Sequence, residues 1–200
     1  LSELITNSVS NMGLATLHNN ASVGTPITDM TMQANKDTLL DELFQINSSG
    51  LTPLRLLLEN TGEYYDQAGA NTDHSPLGFT DASPIGTSAE GGECQQNFTV
   101  LFTDGAWNGG NPSVGNADGD DNTAFDGGPH ADANSNTLAA VAMDFYERDL
   151  STTLADNVPE NDYEDTNTGV IYTDDNPQQH MVTYGVAFGL TGSGLTTPLD

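Results

Sequence analysis

The sequence predicts one α/β domain over residues 1–190, in which helices cover both faces of a mostly parallel sheet. Two observations predict this fold. Segments with helical spacing of apolar residues alternate along the chain with short β-branched and aromatic runs, which is typical of strand–helix–strand units. The chain of 200 residues is also 36% hydrophobic, which is enough for one core. Residues 191–200 are rich in Gly, Thr and Ser and predict a linker.

Three short apolar segments predict the strands. Residues 11–18 mix apolar residues with β-formers, and residues 180–188 form another run of this kind. Residues 97–103 are β-branched and aromatic and stop at Asp104-Gly105, a dipeptide typical of turns. We therefore expect residues 97–103 to form a buried strand that ends in a turn.

Three amphipathic segments predict the helices. In residues 35–46 the apolar side chains recur three and four positions apart. Residues 53–66 repeat this pattern, with Thr52 at the N-cap and Pro53 at the first helical position, both strong helix-start signals. Residues 136–149 form the third helix, whose cap is expected among Asn134, Ser135 and Asn136.

Three long segments rich in Gly, Asn, Asp and Ser interrupt this pattern, at 67–95, 104–135 and 155–178. Loops longer than about 15 residues inside a compact domain are usually functional or disordered. The sequence therefore predicts long acidic loop insertions between the regular elements.

The charge of the chain excludes several classes of partner. With 29 acidic and 3 basic residues, the formal net charge is −26. Three cations cannot form a surface for nucleic acid, and the negative charge disfavours anionic membrane surfaces. No apolar run approaches the roughly 20 residues of a spanning helix, so membrane insertion is not expected. Self-repulsion of this size predicts either bound cations or a saline medium.

The loop that follows the strand 97–103 contains a candidate calcium site. Oxygen-bearing side chains recur there at alternate positions and once more further on: Asn116, Asp118, Asp120, Asn122 and Asp126. Alternate spacing in a glycine-assisted turn directs such side chains at one centre, and Ca²⁺ takes six to eight oxygen ligands. The match to an EF-hand loop is partial, because no Glu closes it. The alternative is an acidic, solvated loop without a metal.

Thr52 and Asp104 form a second candidate site. Asp104 follows a predicted strand, and ligands of open α/β sheets bind beyond the carboxyl ends of the strands. The loop before Thr52 can reach the same edge. On pattern alone, helix capping fully explains Thr52, and an ordinary Asp-Gly turn explains Asp104. Trp107, close by in sequence, is either a ligand-binding aromatic residue or an anchor for its loop.

Residues with catalytic or redox chemistry are few. The histidines are scattered and include no zinc motif: His18, His74, His130 and His180. No Gly-x-Ser-x-Gly motif is present. Cys94 is the single cysteine, so it is either a free thiol or paired outside these residues. We therefore predict no catalytic residues and no enzymatic activity.

Several segments resemble a known family. They are Leu51-Thr52-Pro53-Leu54-Arg55, Cys94-Gln95-Gln96-Asn97-Phe98, Leu101-Phe102-Thr103-Asp104-Gly105-Ala106-Trp107-Asn108, the acidic loop 115–127, Thr137-Leu138-Ala139 with Tyr146-Glu147-Arg148-Asp149-Leu150, and Met181-Val182-Thr183-Tyr184-Gly185-Val186-Ala187-Phe188-Gly189. In this order they are similar to the von Willebrand factor A-like domain of PilY-type type IV pilus tip proteins, over roughly residues 11–190.

The resemblance implies a Rossmann-like sheet with a metal-ion-dependent adhesion site. In that family an Asp-x-Ser-x-Ser loop, a Thr and an Asp hold a divalent cation, and Thr52 and Asp104 match the second and third parts. The first part is absent here, and in the family's order it would precede the helix expected around Leu1–Val9. The resemblance thus implies that the first strand is missing from these residues and that the Mg²⁺ or other metal site is incomplete.

The sequence and the resemblance together predict a calcium-stabilised adhesion or assembly module that binds a partner at the carboxyl edge of the sheet. The resemblance implies minor pilins or a host or other surface as partners. It also implies a place at the pilus tip on the cell surface, reached through the periplasm.

Two alternatives remain. A metal-dependent, phosphoesterase-like hydrolase lacks histidines beside its carboxylates and has few cations to receive a phosphate. Of these cations, Arg55 and Arg148 are expected on the solvent faces of helices. A structural filament subunit linked by calcium is the other alternative.

Overall fold

Residues 1–16, 25–47, 50–67, 83–125, 131–164 and 169–188 are described by a computed structural model of the chain, with the backbone alone for Tyr163. They form a mixed α/β fold. Its elements in chain order are α1 (Ser2–Asn7), β1 (Asn11–Leu14), β2 (Thr25–Asp29), α2 (Gln33–Gln45), α3 (Leu54–Tyr65), β3 (Asn97–Thr103), α4 (Leu138–Glu147), β4 (Asn161–Glu164), β5 (Ile171–Asp174) and β6 (Met181–Ala187).

The first four elements share a small core of their own. β1 and β2 pair antiparallel, with Asn11 opposite Asp29. Buried side chains from α1, α2 and the turn after β2 pack together: Ile5, Met30 and Leu39. The strand predicted over 11–18 is confirmed for Asn11–Leu14, and residues 17 and 18 lie outside the described residues. β2 was not predicted, because it is short, contains a proline and has few apolar side chains.

The main core lies between α3, α4 and the start of β6. Its buried side chains are Leu58, Tyr65, Ile85, Val141, Phe145, Leu150 and Met181. Gly62 of α3 faces the ring of Phe145 of α4 so closely that a Cβ at this position would overlap the ring. The missing side chain therefore lets the two helices approach each other.

The three predicted helices are confirmed, and their starting residues differ. α2 begins at Gln33 rather than at residue 35. Pro53 is the N-cap of α3 rather than its first helical residue, so Thr52 lies outside the cap position. α4 is capped by Thr137, whose Oγ1 accepts a hydrogen bond of 2.9 Å from the Ala140 amide. The cap expected among residues 134–136 is therefore wrong by one position. The helix expected around Leu1–Val9 corresponds to α1.

β3 and β6 form a parallel pair, as the alternation of elements predicts. The register runs from Asn97 opposite Met181 to Thr103 opposite Ala187, and both strands lie within a residue of their predicted bounds. The other two pairs of the described residues, β1–β2 and β4–β5, are antiparallel. A mostly parallel sheet is therefore not seen in the described part of the chain. β4 and β5 were missed because neither has a continuous apolar run.

The two faces of the β3–β6 pair differ in their environment. Leu101 and Met181 point to one face, where Met181 packs in the core with residues of α3 and α4. The opposite face carries six apolar side chains that are each 38% to 54% exposed: Phe98, Val100, Phe102, Tyr184, Val186 and Phe188. We call these six residues the aromatic face. Helices were predicted on both faces of the sheet, but in the described residues they cover only one face of this pair.

None of the described helices combines the length and apolar character that crossing a bilayer requires. The predicted linker, residues 191–200, lies outside the described residues, and the domain boundary at residue 190 stays a prediction.

Candidate functional site

The carboxyl end of β3 leads directly into a tight turn. Gly105 adopts a φ of +83°, which glycine tolerates without steric cost. The Gly105 amide donates a hydrogen bond of 2.9 Å to Oγ1 of Thr103, and the Ala106 amide donates one of 3.2 Å to Oδ1 of Asp104. Asp104 is exposed at this turn, which lies at the end of the strand where ligands of open α/β sheets bind.

Thr52 lies at the same edge and meets the loop after β3 through Asn108. The Thr52 amide donates a hydrogen bond of 2.7 Å to Oδ1 of Asn108, and the Asn108 amide donates one of 2.9 Å to the Thr52 carbonyl. The structure thus places Thr52 beside the segment that begins with Asp104. The residue that joins the two segments is Asn108, which was not predicted as a site residue.

At the same edge, the ring of Trp107 stacks on the guanidinium group of Arg55. The guanidinium carbon of Arg55 lies 3.6 Å from the ring centroid of Trp107, and Trp107 remains 51% exposed. Arg55 also donates hydrogen bonds of 2.6 Å to Oδ1 of Asn111 and 2.9 Å to the Asn136 carbonyl. The prediction that Arg55 lies on the solvent face of its helix is therefore wrong, because the loop folds back over α3. Trp107 anchors its loop and still presents an open ring face.

The base of the acidic loop is closed by Gly115 and Asn136. The Gly115 amide donates a hydrogen bond of 2.9 Å to Oδ1 of Asn136, and the Asn136 amide donates one to the Gly115 carbonyl. Asn136 has a φ of +59°, a left-handed conformation that Asn adopts more readily than most residues. The same Asn136 carbonyl receives Arg55, so the closed loop base contacts the Trp107 edge through one residue.

Inside this loop, the first two predicted calcium ligands, the half-buried Asn116 and the buried Asp118, each have one buried oxygen without a partner. Asp118 is 1% exposed. Its Oδ2 accepts a hydrogen bond of 3.3 Å from the Asp132 amide, whereas its Oδ1 is buried with no hydrogen-bond partner. Oδ1 of Asn116 is likewise buried without a partner, while Nδ2 of Asn116 donates to the Asp132 carbonyl at 3.2 Å. Buried polar atoms normally have a partner, so these two oxygens need an explanation.

The other predicted ligands are arranged differently. Both carboxylate oxygens of Asp120 accept hydrogen bonds from Asn122, at 3.2 Å from its amide and 2.8 Å from Nδ2. Both residues are exposed, and Asp126 lies outside the described residues. The described residues contain no group of three or more His, Cys, Asp or Glu side chains placed to hold a metal. The structure therefore separates the predicted ligands into two groups. Asn116 and Asp118 each have a buried oxygen without a partner, whereas Asp120 and Asn122 are exposed and bonded to each other. Asp132 was missed, because nothing in the local spacing links it to Asp118.

A second polar cluster holds the end of α4. Arg148 forms ion pairs with the buried Asp66 and, at 3.1 Å, with Asp144. Burial raises the pKa of Asp144, and the neighbouring carboxylates of Asp66 and Asp120 add to this, although Arg148 acts in the opposite direction. The prediction that Arg148 lies on the solvent face of its helix is therefore wrong. No sequence pattern indicates this contact, because Asp66 is distant from Arg148 along the chain.

A buried network around His180 fixes the start of β6. Nε2 of His180 lies 3.1 Å from Oδ2 of Asp174, and Nδ1 lies 2.7 Å from the Gln178 carbonyl. The hydroxyl of Tyr146 donates to Oδ1 of Asp174 at 2.9 Å. This network connects α4, β5 and β6. His180 is therefore held in a buried hydrogen-bond network. Cys94 is exposed and forms no disulfide within the described residues.

The comparisons with known proteins relate this chain to one kind of protein. The type IV pilus biogenesis factor PilY1 of Pseudomonas aeruginosa strain PAK is 35% identical to it over 168 residues, which is 78% of this chain. PilY1 of strain PAO1 is 32% identical over the same share, and PilY1 of strain UCBPP-PA14 is 29% identical over 73%. Over this region the chain is homologous to PilY1.

The relatives extend far beyond the matched region. The chain spans 14% of the length of the PilY1 proteins of strains PAK and PAO1, and 12% of that of strain UCBPP-PA14. No family model matches the chain. No solved structure matches it either. Homology to PilY1 is therefore established over most of this chain, and the relation to von Willebrand factor A-like domains stays a prediction.

Proposed function

We propose that this chain is a non-enzymatic, calcium-stabilised module of a type IV pilus protein that acts in pilus assembly or adhesion. Homology to PilY1, a type IV pilus biogenesis factor, over 78% of the chain supports the pilus role. Minor pilins or a surface ligand are the proposed partners, and the cell surface at the pilus tip is the proposed location. The large negative charge is compatible with a saline medium outside the cell.

The buried Oδ1 of Asp118 is the observation that supports calcium. A carboxylate oxygen that is buried without a partner is costly, and a hard cation satisfies it through direct coordination. Oδ1 of Asn116, buried and unpartnered in the same turn, is the second proposed ligand. Ca²⁺ would supply positive charge and coordination positions for these two oxygens. Water and further oxygens would complete its coordination shell. Asp120, Asn122 and Asp126 stay predicted ligands, and Asp120 is assigned a smaller share of the affinity because Asn122 bonds both of its carboxylate oxygens.

Calcium would act on the ligand edge through the loop base. The loop is rich in polar residues and buries little apolar surface, so it has little to order it by itself. Asn116 follows Gly115, which is bonded to Asn136. The Asn136 carbonyl in turn receives Arg55, on which Trp107 stacks. Fixing Asn116 and Asp118 would therefore fix the position of the Trp107 ring.

The same edge is the proposed place for a partner. Thr52 and Asp104 are the proposed contributions of this chain to a divalent-cation adhesion site, which the resemblance describes as incomplete here. A carboxylate of the partner would complete the coordination of a cation such as Mg²⁺, and the exposed ring of Trp107 would add apolar contact. Binding of this kind would be reversed by a chelator.

Calorimetric titration of Ca²⁺ into the metal-free chain, beside thermal melts in Ca²⁺ and in chelator, tests the calcium site. The wild-type chain should bind and gain about 2.7 kcal/mol at a Ca²⁺ concentration one hundred times Kd. Asp118→Asn should abolish both the heat and the gain, because the amide removes the buried charge. Asp120→Asn is the matched control, since Asp120 is bonded to Asn122, and it should keep most of the affinity.

The proposal predicts a specific order of these variants. Equal Ca²⁺ affinity in Asp118→Asn and wild type would remove Asp118 as a ligand. Loss of binding in Asp120→Asn alone would move the site to the exposed half of the loop. Absence of any heat with the wild-type chain would leave 104–135 a solvated acidic loop.

A further inference from the structure

Asn116 and Asp118 both hold the backbone of one remote residue, Asp132. Nδ2 of Asn116 donates a hydrogen bond of 3.2 Å to the Asp132 carbonyl, and the Asp132 amide donates one of 3.3 Å to Oδ2 of Asp118. We call these two hydrogen bonds the Asp132 contacts. The other polar atom of each side chain, Oδ1, is buried without a partner. Each side chain therefore has one atom engaged by Asp132 and one atom that a cation can take.

The Asp132 contacts are coupled to the proposed calcium ligands through covalent geometry. In a carboxylate or a side-chain amide, the two polar atoms belong to one planar group and move together. A cation that fixes Oδ1 of Asn116 and of Asp118 therefore also restricts Nδ2 of Asn116 and Oδ2 of Asp118. Because coupling between two binding events is reciprocal, the Asp132 contacts in turn orient both Oδ1 atoms before a cation binds.

Gly119 packs directly against the first of these contacts. Its amide donates a hydrogen bond of 3.0 Å to the Asn116 carbonyl, which closes a turn over residues 116–119. A Cβ at this position would overlap the Asp132 carbonyl oxygen and would lie 2.8 Å from Nδ2 of Asn116. The φ of Gly119 is not in the left-handed region, so it is the close approach of the Asp132 backbone that excludes a side chain here. A methyl group would therefore push apart the donor and the acceptor of this hydrogen bond.

Asp132 takes part in these contacts through its backbone. Its side chain is exposed, and its Oδ1 accepts a hydrogen bond of 2.5 Å from the Asn134 amide. The Asp132 contacts therefore require the position of its peptide groups and not its carboxylate.

We propose that Gly119 is a positioning residue of the proposed calcium site, because it lets Asn116 and Asp118 hold the Asp132 backbone and so orients their Oδ1 atoms for one Ca²⁺. Gly119 supplies no ligand atom itself. The bound cation would also tie residue 118 to residue 132, because it fixes the side chains that hold the Asp132 backbone. The inference rests on the proposed calcium site and adds to it a residue that the spacing of oxygen ligands does not indicate.

Hydrogen exchange in the wild-type chain tests the coupling, with Ca²⁺ alone as the probe. Ca²⁺ should slow the exchange of the Asp132 amide, measured by NMR. The Thr31 amide, which donates to Oδ1 of Asp29 at 2.7 Å in the turn after β2, is the internal control. Its exchange should not change with Ca²⁺.

Calorimetric titration of Gly119→Ala with Ca²⁺ tests the positioning role. The variant should bind Ca²⁺ about tenfold more weakly or worse, since this is the effect of losing one hydrogen bond to the site. It should also lose the slowing of exchange at Asp132. Gly185→Ala is the matched control, because Gly185 is exposed on β6 and a Cβ there would meet no atom within 4 Å. The control should keep both the affinity and the slowing.

Melting in Ca²⁺ and in chelator separates positioning from a purely structural role of Gly119. A purely structural role lowers the melting temperature of Gly119→Ala equally under both conditions. A positioning role lowers it more in Ca²⁺, because the variant also loses stabilisation by the bound cation.

The outcomes distinguish this proposal from the calcium site on which it rests. Heat of Ca²⁺ binding in the wild-type chain without slower exchange at Asp132 overturns the coupling and leaves the calcium site intact. Equal Ca²⁺ affinity in Gly119→Ala and wild type overturns the positioning role, as does an equally large loss in Gly185→Ala. No heat in the wild-type chain overturns the calcium site, and this inference with it.

Discussion

Gly62 illustrates how a single residue sets the distance between two helices. Alanine in a helix interior is usually more stable than glycine by about 1 kcal/mol. At this position the added methyl group overlaps the Phe145 ring, and overpacking typically costs about 1–3 kcal/mol. We therefore expect Gly62→Ala to lower the free energy of unfolding, measured by urea denaturation. In a Phe145→Leu background the cost should shrink, and an equal cost in both backgrounds would contradict the contact.

Asp144 should make stability depend on pH. Burial raises its pKa in the folded chain above the ordinary value of 3.8, so the folded chain holds more protons than the unfolded chain between the two pKa values. Its contribution to stability therefore falls as pH rises through that window. Asp144→Asn removes this contribution, and the stability of the variant relative to wild type should increase with pH.

Urea denaturation at a series of pH values from below 3.8 to neutrality measures this difference. Asp41→Asn, at an exposed carboxylate of α2, controls for the loss of one negative charge. A difference between Asp144→Asn and wild type that stays constant over the series would show that burial does not shift Asp144.

At the level of single residues, the sequence predicted the kinds of side chain at the site better than their partners. The alternate oxygens singled out Asn116 and Asp118, whose Oδ1 atoms the structure shows to be buried without a partner. Arg55 and Arg148 were misplaced because the segments that cover them are remote in sequence. Contacts of this kind depend on how loops fold over helices, which periodicity does not encode.

Among the elements, α4 offers a direct test of its cap. Thr137 accepts a hydrogen bond from the Ala140 amide, one of the amides that a helix leaves unpaired at its start. We expect Thr137→Ala to destabilise the chain by about 1 kcal/mol, and thermal melting followed by circular dichroism measures this. Thr137→Ser keeps the hydroxyl and should keep most of the stability. If serine and alanine cost the same, the hydroxyl has no capping role.

The elements with long apolar patterns are those that the sequence predicted well. β3, β6 and the three longer helices all appear near their expected bounds, because burial of one face imposes a clear spacing. β2, β4 and β5 are four or five residues long and largely polar. These strands pair through backbone hydrogen bonds and have no pattern of buried side chains. The sequence therefore did not predict the two antiparallel pairs.

At the scale of the whole molecule, two regions of different character adjoin β3 in the described residues. The carboxyl edge of β3 gathers polar groups around Thr52, Asp104 and Trp107, whereas the aromatic face is free of charge. The sequence predicted the first of these regions through its turn signals and its resemblance. It did not predict the second, because apolar residues of a strand look the same whether or not a helix covers them.

The pairing of β3 with β6 also bears on the order of folding. The strands are joined by the acidic loop, α4 and the β4–β5 pair, and Asn97 lies opposite Met181. Closing a connection of this length costs chain entropy before any contact compensates for it, and non-local pairing of this kind slows folding. Until the strands meet, Phe98 and Phe102 on one segment and Phe188 on another are separate apolar stretches, and such exposed stretches favour aggregation of a newly made chain.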